Sequence, residues 1–170
     1  MQFEPVNLIE ALERVIHILQ GEFHADLQWQ RDYDPSLPEV QGSKDQLIQA
    51  ILNIARNACQ ALQQTERARI VFKTRVVRQF TIGSVRHKQI MHLSITDNGP
   101  GIPEDLIDRV FFPMISGRSE GSGLGLSISQ NIVGQHGGTL QVASRPGNTT
   151  FSVYLPFSGL NQLSESREII

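Results

Sequence analysis

At 170 residues, with 39% hydrophobic and 19% charged side chains, the chain has the size and composition of one globular domain with a buried core. The formal net charge of −2, with both signs scattered along the chain, gives no support to nucleic-acid binding. No apolar run approaches the roughly 20 residues of a membrane span, Met1-Gln2-Phe3-Glu4 does not resemble a signal peptide, and no membrane contact is expected.

The first predicted element is a helix. Asn7 followed by Glu10 reads as its cap, and Leu8, Ala11, Leu12, Val15, Ile16 and Leu19 recur at helical spacing up to a stop at Gly21. Leu27, Trp29 and Tyr33 fall on alternate positions of a strand closed by Asp34-Pro35-Ser36-Leu37-Pro38. Ser43 with Gln46 predicts a second cap, opening a helix from Lys44 to Gln63 with an apolar stripe of Leu47, Ile51, Ile54, Ala55, Ala58 and Leu62. Cys59 lies between Ala58 and Ala61 and reads as a small core residue. As the single cysteine it excludes an internal disulfide, and a reducing, cytoplasmic setting follows.

Two β-rich runs follow, Arg69 to Arg78 and Lys88 to Thr96, joined by polar sequence containing Gly83. A short helix after Pro103 leads to a glycine-rich stretch, then a helix from Leu124 to His136 stopped by Gly137-Gly138. A terminal hairpin runs from Thr139 to Ser144, turns at Pro146-Gly147-Asn148 and returns from Thr149 to Leu155. Residues 158–170 have no period and are expected to fray, leaving residues 1–157 as the domain. Alternating strands and helices that end in a hairpin predict an α/β (α+β) two-layer sandwich, a mixed sheet with helices on one face.

Three constellations can carry chemistry. Asn53 and Asn57, at i and i+4, share one helix face beside the apolar stripe. An amide there offers a carbonyl oxygen to a hard cation and a donor to phosphate oxygens; the pair also reads as polar residues at a core boundary. Asp97-Asn98-Gly99-Pro100-Gly101 follows a β-rich run, so its carboxylate is placed to accept from an exocyclic base amine beside glycines that admit a flat ring. The same five residues also make a plain turn. Gly121-Ser122-Gly123-Leu124-Gly125-Leu126 opens a periodic helix, where backbone amides suit phosphates. It is not a dinucleotide fingerprint, because Phe111 to Glu120 is not strand-like, and it is not a Walker loop, because no Gly-Lys-Ser/Thr follows.

Together, and in this order, these motifs resemble the catalytic and ATP-binding domain of sensor histidine kinases, in the superfamily shared with gyrase, heat-shock chaperone ATPases and mismatch-repair ATPases. Ile51-Leu52-Asn53-Ile54-Ala55-Arg56-Asn57-Ala58 resembles the N box, and Asp97 to Ile102 the first glycine box. Phe111-Phe112 with Pro113 resembles the F box, Gly121 to Leu126 the second glycine box, and Thr149-Thr150-Phe151-Ser152-Val153 the closing strand. Pro113-Met114-Ile115-Ser116-Gly117-Arg118 is similar to nitrogen-regulation (NtrB-like) sensor kinases.

The resemblance implies a Bergerat-type pocket for ATP and Mg²⁺. By it, Asn57 coordinates Mg²⁺, Asn53 supports phosphate or metal, and Arg56 belongs to the nucleotide-contacting N box. Asp97 bonds the adenine amino group, with Gly99, Gly101 and Ile102 lining the base. Phe111 to Gly121 forms a mobile lid. Gly121, Ser122, Gly123, Leu124, Gly125 and Leu126 present amides to the phosphates, and Thr150 contributes from the closing strand. Arg118 reaches a phosphate or is a solvated surface charge. ATP-hydrolysing relatives carry a general-base glutamate where this chain has Asn53, which takes no proton at neutral pH, so ATP is held for a nucleophile other than water.

None of His17, His24, His87, His92 and His136 sits in the family's phosphoacceptor pattern of His-Glu followed by a proline five positions after the histidine. The resemblance therefore places the substrate histidine on a dimerisation and phosphoacceptor domain elsewhere, with this chain a C-terminal fragment, monomeric when isolated. A response regulator, reached through the parent kinase, and a PII-type regulator are the further implied partners. Two other readings stand beside this one, an anti-sigma-factor-like serine kinase and an ATP-gated docking module.

Overall fold

The computed structural model describes residues 2–23, 26–112 and 125–157. A short strand, β1 (Glu4–Val6), precedes helix α1 (Leu8–Glu22). Asn7 caps α1, its Oδ1 accepting the Glu10 N–H at 3.2 Å, and the stripe from Leu8 to Leu19 is buried. The helix passes the expected stop at Gly21 and ends at Glu22, where the Phe23 N–H still reaches the Leu19 carbonyl at 2.8 Å. Gly21 is only a weak helix former inside the last turn.

Strand β2 (Gln28–Asp32) follows, then β3 (Val40–Gly42), which pairs antiparallel with β1 as a separate two-stranded sheet. Helix α2 (Lys44–Ala61) starts at Ser43, whose Oγ accepts the Gln46 N–H at 3.4 Å. It is two residues shorter than expected because Leu62 caps it and packs into the core.

The next two runs are longer than expected. Strands β4 (Arg69–Ile82) and β5 (Val85–Asp97) form one continuous hairpin around Gly83-Ser84. After a one-turn helix α3 (Glu104–Ile107) comes α4 (Gly125–Gln135), then the hairpin of β6 (Thr139–Arg145) and β7 (Asn148–Pro156). The C-terminal end of α4 is closed by paired bonds, Gly137 N–H to the Gly134 carbonyl at 3.0 Å and Gly138 N–H to the Val133 carbonyl at 2.9 Å. That closure needs a left-handed residue, and Gly137 supplies it with φ 74°.

Five strands make the main sheet in the order β2-β4-β5-β7-β6; only the β2–β4 pair is parallel. Its inner face carries Ile70, Phe72, Leu93, Ile95, Phe151 and Val153, packed against the apolar stripes of α1 and α2 and against Ile132 and Val133 of α4. Each such side chain, moved fully from water, contributes about 1.5–3 kcal/mol. The opposite face carries Lys73, His92, Ser94, Thr96, Thr150 and Tyr154. The architecture is the expected two-layer sandwich with a mixed sheet. The tail, residues 158–170, lies outside the described residues.

Candidate functional site

The site begins where β5 runs out. Asp97 is the last residue of the strand, only 4% exposed, and its Oδ1 accepts the Gly99 N–H at 2.9 Å. A buried carboxylate needs such donors to stay charged. Asn98 staples the start of the loop to the chain before β4: its Oδ1 accepts the Arg69 N–H at 2.7 Å and its Nδ2 donates to the Arg67 carbonyl at 3.0 Å. Asn98 is thus a structural residue of the loop.

Three contacts hold the rest of the loop against the β6–β7 hairpin. The Gly147 N–H donates to the Gly99 carbonyl at 2.9 Å, and the Ile102 N–H to Ser144 Oγ at 2.8 Å. Gly101, at φ 91°, lies so close to the Arg145 carbonyl that an added Cβ would stand 2.9 Å from its oxygen. Ser144 Oγ in turn is hydrogen-bonded to Thr149 Oγ1 at 2.7 Å. The loop also abuts α2, since a Cβ on Gly99 would meet the Ala61 carbonyl at 3.3 Å, one turn beyond Asn57.

The register separates two neighbouring threonines. Thr149, not Thr150, is paired with Asp97, and it is 4% exposed on the same sheet face. Thr150 points to the opposite face, where its hydroxyl bonds Thr96 Oγ1 at 2.9 Å. Alternation from the buried Phe151 carries this signal in the sequence, because Thr149 is in phase with it and Thr150 is not. Ser144, which accepts the Ile102 N–H, is marked by no sequence pattern.

On α2, Asn53, Arg56 and Asn57 are half-buried along the rim of the helix. Arg56 is engaged by α1. Its guanidinium makes a two-point pair with Glu22 at the end of α1, at 2.9 and 3.0 Å, and that bond is the main reason the Glu22 carboxyl is held below its usual range. Asn53 donates through Nδ2 to the Gly125 carbonyl at 3.2 Å, which ties α2 to the first turn of α4. Cys59, 2% exposed on the core side of α2, has its thiol pushed up to about 12, first by burial and then by the Glu22 and Asp97 charges.

Leu126 packs on the core, and Phe111 meets Phe151 edge-on with ring centroids 6.2 Å apart. Arg118 and Gly121, Ser122, Gly123 and Leu124, with most of the expected lid, lie outside the described residues. Asp97 with its loop, the Asn53–Asn57 face and the start of α4 are thus linked through Ala61, the hairpin and the Asn53–Gly125 bond. A buried acceptor, a glycine-lined loop and a helix start on adjoining elements suit a purine nucleotide carrying phosphates.

The sequence profile of the histidine kinase-, DNA gyrase B- and HSP90-like ATPases matches residues 42–159. The chain belongs to this family. It is 50% identical over 150 residues to the sensory histidine kinase/phosphatase NtrB of Vibrio alginolyticus, which covers 88% of this chain and 43% of that protein. The NtrB of Klebsiella oxytoca is 47% identical with the same coverage. The chain therefore spans less than half the length of these relatives. Among solved structures, a mycobacterial sensor histidine kinase, MprB, superposes with a TM-score of 0.75 at 27% identity, over 92% of this chain and 99% of that one. The catalytic domain of the histidine kinase ThkA shares the fold, with a TM-score of 0.78 at 24% identity over 93% of this chain and 97% of that one. The chain is a histidine-kinase-type ATPase domain, similar to that of NtrB. Among the described residues, no helix is long and apolar enough to cross a membrane.

Proposed function

We propose that residues 1–157 form the catalytic, ATP-binding domain of an NtrB-like sensor histidine kinase in nitrogen regulation. Its task is to pass the γ-phosphoryl of ATP to a histidine on a separate dimerisation and phosphoacceptor domain. The observation that carries this reading is the buried Asp97 carboxylate, set in a glycine loop that leans on the Asn57 helix. With one oxygen engaged by the Gly99 N–H, the carboxylate accepts the adenine amino hydrogen, and Gly99, Gly101 and Ile102 line the ring.

The described residues contain no group of three or more His, Cys, Asp or Glu able to hold a metal alone. A hard cation at this site therefore relies on an amide oxygen and the phosphates themselves. Asn57 supplies that oxygen for Mg²⁺, which neutralises phosphate charge when bound. By the family resemblance, the amides of Gly121 to Leu126 would meet the phosphates beside Phe111, and Arg118 would either reach a phosphate or stay a solvated surface charge. With Asn53 four residues before Asn57 in place of a carboxylate, no side chain at that position deprotonates water.

The parent kinase would act on a response regulator and respond to a PII-type regulator. The structure of ThkA in complex with the response regulator TrrA offers a precedent for the first of these. The test is transfer of label from Mg·ATP to a separately supplied phosphoacceptor domain of an NtrB-like kinase. Labelled histidine is expected. ATP binding without transfer would favour an ATP-gated docking module instead.

A further inference from the structure

Helix α4 is fastened to α2 at three points that run antiparallel along the two helices. At the far end, His136 accepts the Ser43 N–H through Nε2 at 3.0 Å, while its Nδ1 bonds the Ile132 carbonyl at 2.7 Å. Midway, buried Ser129 donates through Oγ to the Ala50 carbonyl at 2.7 Å. At the near end Asn53 Nδ2 donates to the Gly125 carbonyl at 3.2 Å, and Asn53 Oδ1 accepts from Gln49 Nε2 at 3.1 Å. A carbonyl cannot donate, so the Asn53 amide has one orientation, with nitrogen toward Gly125 and oxygen toward Gln49.

The Gly125 carbonyl and the Leu126 N–H belong to the same planar trans peptide and point in opposite directions. Fixing the carbonyl toward Asn53 therefore fixes the Leu126 N–H in the first described turn of α4, where the glycine-box resemblance places amides at the phosphates. We infer that Asn53 is a positioning residue: it orients the first peptide of α4, and with it a phosphate-binding amide, while its own carboxamide touches neither metal nor phosphate. Gln49 serves the same device by holding the amide against rotation. This rests on the proposed nucleotide site and assigns Asn53 a role different from the metal or phosphate support that the N-box resemblance implies. It also gives a structural reason for an amide at this position, since a carboxylate would set two acceptor oxygens face to face.

The experiment is calorimetry of ATP and ADP binding to the wild-type chain and to Asn53→Asp, with Mg²⁺ and with EDTA, from pH 7.5 down to pH 4.5. The variant has the shape of the native residue but presents an acceptor to Gly125. At pH 7.5 it is expected to bind both nucleotides about tenfold more weakly than wild type, with or without Mg²⁺. The loss, taken as a ratio to wild type at each pH, should shrink as the introduced carboxyl gains a proton it can donate to Gly125. Equal affinity, or a loss confined to Mg²⁺ conditions that deepens as pH falls, would overturn the inference in favour of a metal ligand. Gln49→Glu provides a second reading from an exposed position that does not threaten folding. Its carboxylate draws the Asn53 amide nitrogen away from Gly125, so binding should weaken about threefold in 0.5 M salt, where long-range charge is screened. Unchanged binding in Gln49→Glu would also overturn the inference. Failure of the wild-type chain to bind ATP at all would instead overturn the nucleotide site itself.

Discussion

The two glycine segments of the site are built on different terms. In the loop after β5, a Cβ on Gly101 would stand 2.9 Å from the Arg145 carbonyl oxygen, and one on Gly99 would meet Asp97 Oδ1 at 2.9 Å. At the start of α4, a Cβ on Gly125 would find, among the described residues, only Asn53, at an ordinary 3.6 Å. The protein's own packing demands the first pair; it makes no such demand of Gly125. The lighter constraint at Gly125 is consistent with the phosphate site proposed above. The loop after β5 is locked by close backbone packing, whereas the start of α4 is tied to α2 by the Asn53–Gly125 bond.

That contrast sets the order of the expected effects. Gly101→Ala is the most damaging, because φ 91° disfavours any side chain and the obstacle is backbone that cannot rotate away. A loss of about 3 kcal/mol is expected, read as a lowered urea midpoint. A stability within about 0.5 kcal/mol of wild type would remove the first half of the comparison. Asp97→Asn comes next and acts on binding instead of stability. The amide oxygen can still accept the Gly99 N–H, so the loop survives, but the charge-assisted bond to an amino hydrogen is lost. ATP affinity should fall by about 2 kcal/mol, roughly thirtyfold, with the urea midpoint nearly unmoved. A wild-type chain that binds GTP as tightly as ATP would refute the adenine role.

Much of this arrangement is legible in the residues alone, and the exceptions have physical reasons. Asn7 and Ser43 announce α1 and α2 because a cap and an apolar stripe are local properties, satisfied within a few residues of the chain. The β1–β3 pair was not foreseen, since each strand has three residues and the partners lie 38 apart, Glu4 against Gly42. Strands that short acquire their identity only from tertiary pairing. Arg56 carries the same lesson at the site. Its place in the N box assigned it to the nucleotide, but Glu22, 34 residues earlier, offers two oxygens in the fork geometry a guanidinium prefers. Thr149 is the opposite case, because period-two alternation from Phe151 already distinguished it from Thr150.

Gly125→Ala tests the second half of the comparison. Among the described residues nothing crowds the methyl group, and alanine is the better helix former, so stability should hold or rise by up to about 1 kcal/mol. Nucleotide affinity should nevertheless fall, by about fivefold, as the methyl group intrudes where the phosphates approach. A variant both less stable and unimpaired in binding would mean that the space at Gly125 serves packing after all. At Gly125 stability and affinity are thus expected to move apart.

The smallest expected effect concerns Cys59, which lies behind the site on α2. Burial is the first cause of its raised thiol pKa of about 12, and the Asp97 charge ranks third, after Glu22. Alkylation by iodoacetamide at pH 8 should therefore be slow in the folded chain, limited by opening of the core rather than by thiolate formation at the surface. Asp97→Asn removes a negative charge that disfavours the thiolate, so its direction is toward faster labelling. Because desolvation dominates and the loop keeps its Gly99 bond, the change should stay under about threefold. Gly101→Ala, by loosening the loop against the hairpin, should accelerate labelling far more than Asp97→Asn does. The reverse order would show that charge at the site, not the tightness of the loop, governs access to the core of α2.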